Sequence, residues 1–307
     1  MFSRRQQDIE RRGQLAQSKP EPAYRQRIVA TKNLKLHVTE LGEGPPILLL
    51  HGFPEFWYGW HAIMPKLAAA GYRVIAPDLR GYNKSDKPES VDDYALDTLA
   101  SDVPALLDAL GLPSVALVGH DWGGAVAWTA AMNHPERVER LVVMNMPHPV
   151  RFAKAWLTLR QRIRSFYFYF FARRTFASSV FRAFGGLGQR LMLWWFSART
   201  LGDDELDRYA EAALQPGAMR ASMTYYTALL ASNPEDAVRN ATPLDIPTSV
   251  IWGAKDPAFD RELASPGEWA PGAKVYYIEE AGHFVHLEAP DEVAKLLLQE
   301  LAGYSSK

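Results

Sequence analysis

Residues Val115–Gly124 read V-A-L-V-G-H-D-W-G-G. The run is an apolar segment of strand length, then a turn flanked by glycines, then a helical pattern that continues to Asn133. In an open parallel sheet, a tight strand–turn–helix junction pushes one side chain out above the carboxyl end of the strands. In G-x-S-x-G sequences that side chain is a serine; here it is Asp121. The positive end of the following helix favours its ionised form. Aspartate is also a common helix N-cap, so simple capping is the structural alternative for this residue.

Outward from this junction, short β-rich runs alternate with helical patterns. Lys35–Glu40, Ile47–Leu50, Arg73–Ala76 and Leu141–Met144 read as strands, and Trp60–Ala70, Leu99–Leu110 and Ala125–Asn133 as helices. That alternation predicts an α/β fold whose mostly parallel central sheet is flanked by helices on both faces. From 149 to 238 the strand pattern gives way to helices rich in Arg, Phe, Trp and Tyr. Strands resume at Thr248–Trp252 and Lys274–Ile278, followed by a closing helix over Asp291–Leu301. The expected organisation is a polar extension over 1–22, an α/β core over 23–148 and 239–307, and an inserted helical cap over 149–238.

Composition narrows the chemistry. The 307 residues are 48% hydrophobic and 22% charged, which is globular. Thirty-four Lys and Arg against 35 Asp and Glu leave a net charge of −1, so no overall attraction to nucleic acid is expected. The absence of cysteine excludes disulfides, thiolate metal sites and a cysteine nucleophile. Met1–Pro20 has no apolar core of a signal peptide, and no apolar run approaches the roughly 20 residues of a membrane span, so a cytoplasmic protein is expected.

Two further chemical residues fall just past predicted strands. Asp256 lies in V-I-W-G-A-K-D-P and His283 in E-A-G-H-F-V-H-L-E-A-P. With Asp121 they form a nucleophile, an acid and a histidine, all at the carboxyl ends of strands where such sheets build their sites. Singly, each has a bland reading, as a turn residue before Pro257 and a loop histidine. His286 raises the question of a metal pair, but no carboxylate-rich motif accompanies it, and neither a metal nor a cofactor is expected. The stretch H-G-F-P-E-F-W-Y-G-W, His51–Trp60, follows the second of the strands above. Its irregular turn can aim the Phe53 N–H at the nucleophile and, with the Trp122 N–H, form an oxyanion hole. His51, Pro54 and Trp57 of this stretch are assigned to the substrate pocket.

Together H-G-F-P, R-G-Y-N-K-S-D-K-P, G-H-D-W-G-G and G-H-F-V-H-L-E make the chain resemble an α/β-hydrolase of the epoxide hydrolase and dehalogenase branch, from about Tyr24 to Leu301. The chain order nucleophile, acid, histidine is that of the same superfamily. A carboxylate nucleophile suits displacement at saturated carbon, giving an ester on Asp121 that water then hydrolyses with His283 as base and Asp256 orienting it. The resemblance implies two cap tyrosines that donate protons to the epoxide oxygen. Matching S-F-Y-F-Y-F-F (165–171) and M-T-Y-Y-T (223–227) points to Tyr167 and Tyr226, with Tyr169 and Tyr225 as neighbouring alternatives. The implied partners are a small apolar epoxide and water. A haloalkane or haloacetate dehalogenase is the alternative. Against it, Phe53 stands where haloalkane dehalogenases typically carry asparagine, and Trp122 where haloacetate dehalogenases typically carry arginine.

Residues 151–200 carry ten Arg or Lys and no Asp or Glu, so the remainder has 34 − 10 = 24 basic against 35 acidic side chains. Arginines interleaved with Trp156, Phe176, Phe181, Phe184, Trp194 and Trp195 resemble a face that settles on an anionic membrane. The alternative is a cap whose aromatic residues pack inward and whose arginines pair with the acidic core.

Overall fold

The computed structural model describes residues 22–197, 200–239 and 241–305. Nearly all of the expected N-terminal extension, Arg199 and the Trp195 side chain lie outside what is described. Eight strands make one sheet: β1 Arg25–Ala30, β2 Lys35–Leu41, β3 Pro46–Leu50, β4 Arg73–Pro77, β5 Val115–His120, β6 Val138–Met144, β7 Thr248–Gly253 and β8 Lys274–Ile278. Their order is β1-β2-β4-β3-β5-β6-β7-β8, and β3 to β8 run parallel while β2 runs antiparallel to both its neighbours.

Every residue of β3, β5 and β7 is buried, because helices cover both faces. Alternate side chains go to opposite layers. Leu48, Leu50, Leu117 and Val143 pack with the helices Leu96–Leu110 and Trp122–Asn133, whereas Ile47, Leu49, Val118 and Val142 pack with Met64–Ala69 and Pro290–Glu300. Each such fully buried side chain contributes about 1.5–3 kcal/mol. The helices between β6 and β7, from Pro149 to Arg239, extend from the carboxyl ends of the strands.

Two elements differ from expectation. β1 carries no apolar pattern, since Val29 is its one buried residue; it is an antiparallel edge strand held by its ladder to β2. The helix expected over Trp60–Ala70 is instead a 3₁₀ turn at Trp57–Trp60 and a short helix at Met64–Ala69, restarted at Pro65, which has no N–H to continue the earlier turn.

The junction after β5 depends on close backbone packing. A Cβ at Gly123 would sit 2.3 Å from the Leu50 carbonyl oxygen and 2.5 Å from that of His51, both backbone atoms that cannot turn aside. Gly123→Ala is therefore expected to destabilise the fold by about 3 kcal/mol or move the helix off the sheet. A melting temperature unchanged from the parent protein would contradict this.

Candidate active site

Asp121 sits at φ 49°, ψ −124°, a left-handed conformation that L-residues adopt only under constraint. The constraint is local: its N–H donates to the Met144 carbonyl at 3.2 Å, and its carbonyl accepts from Ala125 N–H at 3.0 Å. Its side chain does not cap the helix that follows. Instead Oδ1 accepts the Phe53 N–H at 2.7 Å, across the gap between the β3 and β5 loops. The loop can come this close because Gly52 lacks a side chain; a Cβ there would lie 2.4 Å from the Asp121 Cβ. The Trp122 N–H opens the helix at the same turn, where the first amides have no partner within the helix.

The other carboxylate oxygen, Oδ2, lies 3.4 Å from His283 Nε2, while His283 Nδ1 is 2.9 Å from Asp256 Oδ2. Asp121, His283 and Asp256 thus form one buried line fed by three strand ends. Asp256 is heavily supplied with donors, from Ala258 N–H at 2.7 Å, Phe259 N–H at 3.2 Å and Asn145 Nδ2 at 2.6 Å. Burial alone would raise its pKa, but His283 and these donors hold it below the usual aspartate value. For His283, burial acts to lower the pKa, and the two carboxylates outweigh it, leaving the imidazole well above 6.5.

Asn145 is a site residue that sequence reading missed. It follows β6 at φ 44°, and its side chain joins Asp256 to the β7 loop by accepting the Gly253 N–H at 3.0 Å. Asn145→Ala is expected to lower kcat about tenfold or more, on the scale of one hydrogen bond to a charged group, and to cost about 1–3 kcal/mol of stability by leaving the buried Gly253 N–H without its acceptor. An unchanged kcat would show that Asp256 holds its place without it.

Above Asp121, the helix Ala218–Ala231 and the segment Tyr167–Ala172 supply the tyrosines. Tyr226 is enclosed by Phe53, Trp122, Phe168 and Phe171, with ring centroids 5.0–5.3 Å away. Burial pushes its phenol well above 10, and the charge of Asp121 and the neighbouring Tyr167 push the same way. Tyr167 is raised likewise, first by burial and then by Asp121 and Asp256. The neighbours face elsewhere. Tyr225 donates its hydroxyl to the Arg80 carbonyl at 2.8 Å, and Tyr169 is exposed beside Trp156. Of each pair, Tyr167 and Tyr226 are the members that share the Asp121 environment.

Residues 45–290 match the family described as alpha/beta hydrolase fold. The chain belongs to the α/β-hydrolase fold family. Within it, the AB hydrolase superfamily protein YfhM of Bacillus subtilis (strain 168) is 39% identical over 89% of this chain and 96% of its own length. Epoxide hydrolase 4 of Homo sapiens is 33% identical over 88% of this chain and 76% of its own. A crystal structure of an epoxide hydrolase mutant from Bacillus megaterium, complexed with a diol product, superposes with a TM-score of 0.82 at 29% identity, covering 90% of this chain and all of that one. These similarities place the chain among the epoxide hydrolases of the α/β-hydrolase family, with the mostly parallel sheet and flanking helices expected of it.

Beside Asp121 and His283, this α/β-hydrolase buries a second polar group. Glu55 Oε2 is 2.9 Å from His120 Nδ1, and Glu55 Oε1 is 2.9 Å from His286 Nε2. His120 Nε2 in turn lies 2.8 Å from the His283 carbonyl. Burial would raise the Glu55 pKa, but His286 and His120 hold it well below 4.5. Burial lowers His286 to about 4, so it is neutral at pH 7 and donates through Nε2, which matches its unpartnered Nδ1. Glu55, His120 and His286 could offer a metal three ligand atoms within 4.8 Å of one another. Their contacts to each other are hydrogen bonds, and they hold the loop that carries His283. Glu288 holds the other side of this loop, accepting Gly282 N–H at 2.8 Å and Phe284 N–H at 3.0 Å. Glu55, His120 and Glu288 all lie within the motifs quoted above, but nothing in the spacing shows that they meet.

Of the three residues expected in the pocket, His51 and Trp57 are engaged by their own loop and its neighbours. His51 accepts the Leu79 N–H through Nε2 at 3.0 Å and reaches the Gly52 carbonyl through Nδ1 at 2.9 Å, so both nitrogens serve the loop. Trp57 turns away, its ring packed on Tyr24 and Phe56. Pro54, joined to Phe53 by a cis peptide bond, lines a narrow cavity beneath the cap with Tyr82, Gln189 and Met219.

Proposed function

We propose that this enzyme hydrolyses an apolar epoxide to a vicinal diol through an ester on Asp121. The observation that carries the reading is the division of labour at one carboxylate: Oδ1 is held by the Phe53 N–H and Oδ2 is left beside His283, while two buried phenols, Tyr167 and Tyr226, feel the Asp121 charge. Oδ2 attacks an epoxide carbon, the carbon–oxygen bond of the ring breaks, and the alkoxide takes a proton from Tyr167 or Tyr226. Water then attacks the ester carbonyl. His283 takes one of its protons, and the negative oxygen that develops on Asp121 is received by the Phe53 and Trp122 amides. The acyl–oxygen bond breaks, the departing diol oxygen takes the proton back from His283, and the protonated Asp121 restores the tyrosine proton through solvent.

The first step also prepares the second. Asp121 is one of the two carboxylates that raise the His283 pKa, and esterification removes its charge. The imidazole pKa then falls and the ring becomes a free base when water must be activated. Ester hydrolysis in single turnover is thus expected to gain rate with pH around a lower midpoint than the one at which His283 titrates in the free enzyme. Identical midpoints would contradict this coupling.

The test of the reaction itself is a paired assay of styrene oxide and a trans-disubstituted epoxide against chloroacetate and a haloalkane. Diol formation with no halide release is expected. Halide release alone would assign the site to dehalogenation, and no turnover of any of them would point to a binding protein on this scaffold.

A further inference from the structure

Among the described residues, every exposed large hydrophobic side chain except Ile28 and Val238 lies between Leu157 and Trp194. The sequence expectation of aromatic residues on this face is redrawn by the structure: Phe181 is buried and Trp156 half-buried, whereas aliphatic residues join the exposed set.

The exposed residues follow one another along the chain. Ile163 and Phe166 are 66% and 72% exposed and lead into Phe170, whose ring lies 6.1 Å from that of Phe176. Val180 and Phe184 continue along the helix Arg174–Phe196, which is broken at 183–186, with Phe184 at φ 54° and 91% exposed. Past the break the chain folds back, so that a Cβ at Gly188 would lie 3.1 Å from the Phe181 Cα. Leu187 and Leu191 follow, both exposed.

The arginines of this region differ in their partners. Arg160 and Arg164 pair with Asp260, and Arg190 pairs with Asp203 and Asp207. Arg162, Arg173 and Arg182 are exposed and make no salt bridge among the described residues. Each is within three residues of an exposed apolar member of the face, Ile163, Phe176 or Phe184.

We infer that this cap face docks on an anionic lipid bilayer, with Phe184 and Leu187 entering the headgroup boundary and Arg162, Arg173 and Arg182 meeting lipid phosphates and carboxylates. An exposed apolar ridge flanked by unpaired guanidinium groups fits that surface in both respects. A second copy of the chain fits poorly, because two copies of a segment with ten basic and no acidic side chains over 151–200 would repel. The N-terminal 21 residues fit poorly for the same reason, with five basic against three acidic side chains. Among the described residues no helix is long and apolar enough to cross a membrane, so the contact is peripheral.

The test is co-sedimentation of the full chain with phosphatidylcholine vesicles and with mixed phosphatidylcholine–phosphatidylserine vesicles. Binding is expected on the mixed vesicles alone and weakens as salt is raised. The combined variant Arg162→Glu, Arg173→Glu, Arg182→Glu should lose at least about tenfold in partitioning. Phe184→Ser with Leu187→Ser should lose a similar amount at an unchanged melting temperature, since both side chains are exposed. Equal partitioning on the two lipids, or none on either, would overturn the inference. So would a concentration-dependent dimer abolished by Phe184→Ser, which would assign the face to a second copy. None of these outcomes depends on epoxide turnover.

Discussion

His283→Gln is expected to stop the enzyme halfway, with the protein heavier by the mass of one epoxide and the added group on the Asp121 peptide. The structure supplies the reason in the unequal demands of the two steps. Attack by Asp121 requires an ionised carboxylate held by the Phe53 N–H, and His283 does not touch Oδ1. Hydrolysis requires a base for water, and the imidazole is the one that Asp256 orients from 2.9 Å. Removing the nucleophile itself, Asp121→Ala, should reduce kcat by at least about 10⁴-fold, as losses of covalent nucleophiles commonly do. A single turnover of the parent enzyme in oxygen-18 water should place label in the Asp121 carboxylate. Label confined to the diol, together with no trapped ester in His283→Gln, would mean that water attacks the epoxide directly.

The second large effect is expected at the tyrosines. Tyr167→Phe or Tyr226→Phe alone should slow ring opening by about tenfold, and the double variant by about 10⁴-fold, the upper end of the range for general acids. The two phenols serve one developing negative charge, so either can partly cover for the other and the effects should not simply add. Both phenols are held protonated by burial beside Asp121, which keeps them donors throughout the neutral pH range. Tyr225→Phe and Tyr169→Phe are the controls. Tyr225 spends its hydroxyl on the Arg80 carbonyl, so its loss should lower stability more than ring-opening rate. Stopped-flow measurement of the alkylation phase separates these outcomes. A silent pair at 167 and 226, with slow ring opening at 169 or 225, would place the donors on the neighbouring residues.

Much of this molecule is written locally. Strand, tight turn and helix around Asp121 follow from a run of apolar residues, two glycines just past Asp121 and a helical period, all within twenty residues of chain. The same local grammar places Asp256 and His283 just beyond their strands, because parallel strands deliver their loops to one edge of the sheet. A local reading is weaker where an element owes its place to a partner. β1 buries one side chain and exists through its ladder to β2, so no periodicity announced it. His51 and Trp57 share a motif with Phe53, yet their contacts to Leu79 and Tyr24 are with residues 28 and 33 positions away, which the motif does not announce.

The sequence alone announced the sheet and set Asp121, Asp256 and His283 just past the carboxyl ends of their strands, since each placement depends on neighbours a few residues away. Only the tertiary structure showed that Tyr167 and Tyr226 share the Asp121 environment while Tyr225 bonds to Arg80 and Tyr169 is exposed, that Asn145 supports Asp256, and that Glu55 meets His120 and His286 across 65 and 231 residues of chain. These are contacts between separate elements. They are chosen by how helices and loops pack against one another, where a rotation of one residue along a helix exchanges a solvent-facing side chain for one that faces the site.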